Sequence, residues 1–180
     1  MLAQHIARGI TQQGDFEARL RTVPEVSSTI AQSSAPSIPD SGAVYCSKED
    51  LATCSALVMG SPTRFGNMAS ALKHFLDDTA DLWMQNALVD KPAAVFTSTN
   101  SMHGGQETTL LTMMMPLFHH GMLLMGVPYS EPALRSTTSG GTPYGPSHVS
   151  MNATSSLSSD EQAIAQALGI RIASTTSSLN

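Results

Sequence analysis

Three polar, glycine-bearing segments carry the residue types that chemistry needs. The first is Ser61-Pro62-Thr63-Arg64-Phe65-Gly66-Asn67-Met68, the second Ser98-Thr99-Asn100-Ser101-Met102-His103-Gly104-Gly105-Gln106-Glu107, and the third runs from Gly140 to Gly145. Together they offer backbone N–H groups, hydroxyls, an amide, one Phe and one Arg. They contain no metal-ligand cluster and no nucleophile–base–carboxylate set, so the inventory suits a flat, polar-edged heteroaromatic ligand.

The elements that must hold these segments are legible as periodicity. Ser55 to Met59 and Pro92 to Thr97 are compact apolar runs, which suit buried strands of a parallel sheet, and each feeds directly into one of the first two segments. In such a sheet ligands sit beyond the carboxyl ends of the strands, so all three segments are expected to line one pocket, with Gly140 to Gly145 as its cover. Between the runs, Met68, Leu72, Phe75 and Leu76 share one face of a helix over Asn67 to Asp78. Leu110, Leu111, Met114, Met115 and Phe118 stripe a second helix over Gln106 to Gly121, kinked at Pro116, ahead of a third strand at Met122 to Val127.

Toward the termini, Leu2, Ile6 and Ile10 predict a helix from Met1 to about Gln13, loosened at its end by Gly9 and Gly14. Alternation of Phe16, Ala18 and Leu20 with Glu17, Arg19 and Arg21 predicts a strand. Residues 26–42 read as an irregular surface excursion, Glu49 to Thr53 as a short helix, and Tyr129 to Ser159 as loop. A last helix over Asp160 to Ala173, capped by Ser158 or Ser159, precedes a frayed tail at 174–180. The whole of residues 1–180 forms a single α/β domain, a parallel sheet covered on both faces.

Composition sets the bounds. With 180 residues, 41% hydrophobic and 13% charged, the chain has enough material for one real core. A formal charge of -5 and nine scattered Lys and Arg residues argue against a nucleic-acid partner. The longest apolar runs are too short for an integral membrane segment, and the expected location is cytoplasmic. Cys46 and Cys54 fit no ligand pattern and read as two free or buried thiols. Met113, Met114 and Met115 read as core or subunit contacts rather than a soft-metal site, because consecutive helical residues point apart. Asp77 and Asp78 read as packing-edge positions, and Asn152-Ala153-Thr154 as a chance match to a glycosylation acceptor.

Several separate motifs then carry a family likeness. Gly60-Ser61-Pro62-Thr63-Arg64-Phe65-Gly66-Asn67-Met68, Phe75-Leu76-Asp77, Leu82-Trp83, Gly104-Gly105-Gln106-Glu107-Thr108, His119-His120-Gly121-Met122 and Gly140-Gly141-Thr142-Pro143-Tyr144-Gly145 occur in order along nearly the whole chain. On these residues the chain resembles the WrbA-type NAD(P)H:quinone oxidoreductases. The resemblance implies a flavodoxin-like three-layer sandwich, FMN as cofactor, NAD(P)H as electron donor, a quinone substrate and a homotetramer, with a dimer as the smaller option. By position it implies that Thr63, Arg64 and Phe65 contact the isoalloxazine and ribityl region, and that Ser98, Thr99, Asn100, Ser101, Met102, His103 and Gly104 wrap the other edge of the ring. It implies that His119 approaches the flavin from a neighbouring part of the assembly, and that Trp83 helps to form the quinone or nicotinamide pocket. No protein side chain is implied as a catalytic group, since the flavin carries the hydride chemistry.

Read from the residues alone, Trp83 is a core aromatic beside Leu82 and Leu88, and His119 and His120 are cations closing a helix, a role that His120 keeps. The chain also departs from the resemblance at its start. Flavodoxin-like proteins open with a central strand and a loop whose amides cradle the FMN phosphate, whereas Met1-Leu2-Ala3-Gln4-His5-Ile6-Ala7 aligns just beyond that loop. The expectation is an N-terminally truncated sheet without its first central strand, with two neighbouring strands left unpaired. It leaves open a flavin-free structural or regulatory remnant of the family, an inactive truncated chain, and an electron carrier like a short flavodoxin.

Overall fold

The computed structural model describes residues 1–27, 36, 38–150 and 156–179; the Asn152-Ala153-Thr154 triplet and part of the 26–42 excursion lie outside them. In chain order the elements are α1 (Leu2–Thr11), α2 (Lys48–Thr53), β1 (Leu57–Pro62), α3 (Ser70–Asp77), α4 (Ala80–Met84) and β2 (Pro92–Thr99). They are followed by α5 (Gln106–His119), β3 (Leu123–Leu124), α6 (Ala133–Ser136), β4 (Ser147–Val149) and α7 (Ser159–Leu179). Short connections alternate strands with helices, so every strand pair is parallel, as the sequence led us to expect.

β2 is the centre of the sheet. One edge pairs with β1 from Leu57↔Ala93 to Pro62↔Ser98. The other edge takes β3 at its start, Pro92↔Leu123, and β4 at its end, Thr97↔Ser147. Side chains alternate along β2: Ala94 and Phe96 face a core built with α1, α6 and α7, while Ala93 and Val95 face a second core against α3 and α5. Both faces of the strand are therefore covered, which is why its apolar run shows no polar alternation.

α1 and α7 cross at van der Waals contact of their backbones. A Cβ on Gly169 would lie 2.1 Å from the Ile6 carbonyl oxygen, and one on Gly9 would lie 2.2 Å from the carbonyl oxygen of Gln166. Gly9 thus serves a helix crossing and does not loosen the helix end. α7 also corrects the expected tail: it continues to Leu179, with Thr176 buried and Ser174 Oγ donating to Gln13 Oε1 at 3.1 Å. Thr176 and Ser178 hydroxyls donate to the Ile172 and Ser174 carbonyls one turn back, so the segment is helical rather than frayed.

Other expectations shift. The third strand shrinks to Leu123–Leu124: Met125 N–H still bonds the Ala93 carbonyl of β2, but Val127 N–H turns away to that of Pro143. Within the segment read as loop, α6 and β4 form, β4 by pairing with the last residues of β2. Phe16 to Arg21 make no strand; among the described residues this stretch ends in a lone Thr22↔Tyr45 bridge. A strand requires a neighbour for its ladder, and between this stretch and the outer edge of β1 lies a cavity of about 690 Å³. Ile6, Ile10 and Ile172 line it from one layer, and Leu72, Phe75 and Leu76 from the other.

Candidate functional site

Because Pro62 and Ser98 are partners in register, the two chemically rich loops leave the sheet side by side at its carboxyl end. Thr63 N–H donates to the Ser98 carbonyl at 2.9 Å and ties their first residues together. Beneath them, Thr109 Oγ1 donates to Thr63 Oγ1 at 3.1 Å, Thr63 and Thr97 hydroxyls meet at 3.4 Å, and Thr97 donates to the Ser61 carbonyl at 2.8 Å. This chain of hydroxyls fixes where the loops begin.

The first loop is a tight turn, closed by Arg64 N–H to the Asn67 carbonyl at 2.8 Å and its reciprocal at 3.0 Å. Its central residues, Phe65 at φ 51° and Gly66 at φ 77°, both sit in the left-handed region, the backbone of a type I′ turn. The turn lifts Phe65 clear of the protein, fully exposed. Arg64 is exposed as well, its Nη1 bonded to the Thr63 carbonyl at 3.0 Å.

The second loop crosses from β2 to α5 over His103 (φ 55°) and Gly105 (φ 96°). Gln106 Nε2 donates to the Ser101 carbonyl at 3.1 Å, and Ser101 N–H to Thr99 Oγ1 at 3.4 Å, which folds the loop back on itself. Asn100, Ser101, Met102 and His103 are exposed along its rim. A Cβ on Gly105 would come within 3.1 Å of Gly66 Cα, so the two loops touch through glycine. At the start of α5, Gln106 Oε1 is buried without a hydrogen-bond partner.

Three expected members lie elsewhere. The Gly140 to Gly145 turn does not cover the loops: a Cβ on Gly145 would lie 2.1 Å from the Val95 carbonyl, and Val127 N–H bonds Pro143, so the turn packs on the sheet. Trp83 is half exposed on α4 and does not line the 690 Å³ cavity. His119 closes α5, whose 14 residues rise about 1.5 Å each, so it lies roughly 20 Å from the loop at Gly105 within one chain. Its neighbour His120 is structural as expected: it is buried, and Nε2 meets Thr79 Oγ1 at 2.9 Å. Burial pushes its imidazole below the ordinary value. Cys46 and Cys54 are free thiols, and burial raises Cys46 to about 11, so both stay protonated and unreactive at neutral pH.

One cluster near the site escaped sequence reasoning. The Glu161 carboxylate, 1% exposed, accepts from Gly140 N–H and Val149 N–H on one oxygen and from Ser158 N–H and His148 Nδ1 on the other, at 2.9 to 3.1 Å. Burial alone would raise its pKa, but His148 and the three amides outweigh it and hold the carboxyl below the usual range. Ser158-x-x-Glu161 is a capping-box spacing, the one signal that would have flagged Glu161.

A parallel sheet layered by helices, with paired loops at its carboxyl edge, defines a doubly wound α/β protein. Solved structures agree on the fold. A WrbA-like flavodoxin from Agrobacterium tumefaciens superposes with a TM-score of 0.62 at 18% identity, covering 99% of this chain and 91% of that one. A flavodoxin from the domain Archaea gives 0.59 at 16% identity, covering 98% and 88%.

The chain belongs to the NADPH-dependent FMN reductase family, which it matches over residues 1–131. It is 43% identical over 156 residues to an NAD(P)H dehydrogenase (quinone) of Solidesulfovibrio magneticus, 80% of this chain and 74% of the relative. To a protein of the same description from Syntrophobacter fumaroxidans it is 40% identical over 159 residues, 82% and 76% respectively.

Proposed function

We propose that this protein is an FMN-dependent NAD(P)H:quinone oxidoreductase. The observation that carries this reading is the Pro62↔Ser98 register, which sets two polar loops side by side in a family of FMN reductases. The residues fit the cofactor: a ring edge with donors and acceptors finds the backbone of Thr63 to Gly66, the hydroxyl-rich rim from Ser98 to Ser101 and the orphaned Gln106 Oε1. When bound, FMN supplies hydride acceptance from NAD(P)H and two-electron delivery to a quinone.

The chain's own part is positional. Thr63, Arg64 and Phe65 hold one edge of the ring, and Ser98, Thr99, Asn100, Ser101, Met102, His103 and Gly104 the other. The Thr63–Thr97–Thr109 hydroxyls keep both loops in place. His119 approaches the flavin from a neighbouring subunit of a homotetramer, and Trp83 helps to form the quinone or nicotinamide pocket. Leu111, Met115 and Phe118 support such an assembly, since all three are exposed on one stripe of α5 that ends at His119. Among the described residues no helix is long and apolar enough to cross a membrane, and the two free thiols accord with a cytoplasmic location.

Purified protein should take up FMN and then reduce benzoquinone at the expense of NADH or NADPH. Protein that stays colourless and inactive at saturating FMN overturns the reading. That outcome would favour a flavin-free remnant that keeps only its assembly surfaces, a reading drawn from the outer edge of β1, which among the described residues pairs with no strand, beside the 690 Å³ cavity.

A further inference from the structure

Thr109 is completely buried in the first turn of α5, yet its hydroxyl reaches out of the helix to the loop that leaves β1. Its Oγ1 donates to Thr63 Oγ1 at 3.1 Å. A position with no exposure on the core side of a helix ordinarily carries an apolar side chain, as Leu110, Met113 and Leu117 do on the same helix. A hydroxyl kept there answers to its partner.

The protons of this cluster can be counted, because each hydroxyl has one to give and two lone pairs to receive. Thr97 gives its proton to the Ser61 carbonyl at 2.8 Å. Ser61 gives its own to the Pro62 carbonyl at 2.9 Å and accepts Ala69 N–H at 2.8 Å. Thr109 gives its proton to Thr63, so the Thr63 hydroxyl proton is the one left over. The acceptor near it among the described residues is Thr97 Oγ1 at 3.4 Å, well beyond the roughly 2.7–2.8 Å of a good hydroxyl bond.

Burial orders the same groups. Thr109 and Thr97 are 0% and 1% exposed and Ser61 is buried, whereas Thr63 is half-buried at the foot of the Arg64–Asn67 turn. A hydrogen bond received by an oxygen strengthens the donation from its own O–H, so the cluster is polarised from α5 outward through Thr63. Thr63 N–H is already bonded to the Ser98 carbonyl at 2.9 Å, which leaves the hydroxyl as the donor Thr63 has to offer.

We propose that Thr109 is a positioning residue for the flavin: by donating to Thr63 Oγ1 it fixes Thr63 as a hydrogen-bond donor to an acceptor atom on the ring edge, a carbonyl oxygen or an unprotonated ring nitrogen. This rests on the flavin reading given above. Thr109 acts through Thr63, since it has no exposed surface with which to touch a ligand.

The test is a double-mutant cycle, read by quenching of flavin fluorescence on titration with oxidised FMN. Thr109→Val keeps the shape and removes the donor, and should weaken FMN binding about fivefold. Thr109→Ser keeps the donor and loses a buried methyl, so it should unfold earlier in urea yet bind FMN as the wild type does. A residue that only packed would behave in the reverse way, tolerating valine and suffering from serine. Thr63→Val should weaken binding at least as much as Thr109→Val, and the two substitutions together should cost no more than Thr63→Val alone. Proton NMR of unmutated, threonine-labelled protein gives a readout without any variant. The Thr109 hydroxyl proton should be visible before flavin is added, and that of Thr63 should emerge from exchange with water only when FMN is bound. Unchanged FMN affinity in Thr109→Val, additive losses in the double variant, or a Thr63 hydroxyl proton still in exchange with FMN bound overturn the proposal and leave the flavin reading standing. Wild-type protein that takes up no FMN overturns both.

Discussion

Glu161 shows how much one side chain organises. Its carboxylate joins three segments: the Gly140 turn, β4 through Val149 N–H and the His148 ring, and the start of α7 through Ser158 N–H. Glu161→Gln replaces one acceptor oxygen by a donor that faces Ser158 N–H and His148, and should cost about 2–4 kcal/mol in urea unfolding. The pH dependence follows from the lowered carboxyls. Glu161 stabilises fully above its ordinary value of 4.5 and loses that contribution as pH falls through its lower folded value. Asp50 acts with the same sign: the Arg21 guanidinium and the Ser47 groups hold it at about 2, so its share fades between about pH 4 and pH 2. Thermal unfolding followed from pH 7 downward should show stability falling over this acid range; a flat profile would contradict the assignment.

Glycine at position 105 makes a different kind of contribution. At φ 96°, and with room for a Cβ only 3.1 Å from Gly66 Cα, it lets the two loops approach closely. Gly105→Ala should add about 1–2 kcal/mol of backbone strain and weaken FMN binding about tenfold by parting the loops. Titration with FMN alongside thermal melting checks this; lowered stability with unchanged affinity would show that the contact does not shape the site.

At the scale of elements, what the sequence revealed depended on whether a segment's environment was local. The apolar runs of β1 and β2 were legible because burial on fixed faces writes a pattern into the residues themselves, whereas the stripe expected on α5 was misplaced: Leu110, Met113 and Leu117 face the core, and Leu111, Met115 and Phe118 are exposed. The two loops were legible for the same reason, following directly from those strands. Gly9 was not, since a glycine read in isolation loosens a helix, and only the presence of Gly169 on α7 turns it into a crossing point. Nor was β4: Ser147-His148-Val149 has no strand pattern and exists through β2 and the Glu161 carboxylate. Phe16 to Leu20 erred in the opposite sense, with alternation suited to a strand but no ladder to join. The crossing yields a prediction at this scale. Gly169→Ala should drive α1 and α7 apart and cost about 1–3 kcal/mol in urea unfolding, since the clash is with backbone and cannot relax by a rotamer change.

For the whole molecule, the dominant feature is the cavity along β1. Kept dry, 690 Å³ at about 24 cal/mol per Å³ would cost roughly 17 kcal/mol, more than the roughly 5–15 kcal/mol that holds an ordinary domain together. The cavity therefore admits solvent, and β1 separates water from core along its length. Thr63 N–H points to β2, and by alternation so do those of Met59 and Ser61, while Val58 and Gly60 turn theirs to the cavity. In deuterated buffer this strand should keep two clocks. Val58 and Gly60 should trade their amide protons early, and Met59 and Ser61 only on the slow timescale of β2. Equal exchange at all four positions would mean that the outer edge of β1 is closed in solution by something that seals its backbone.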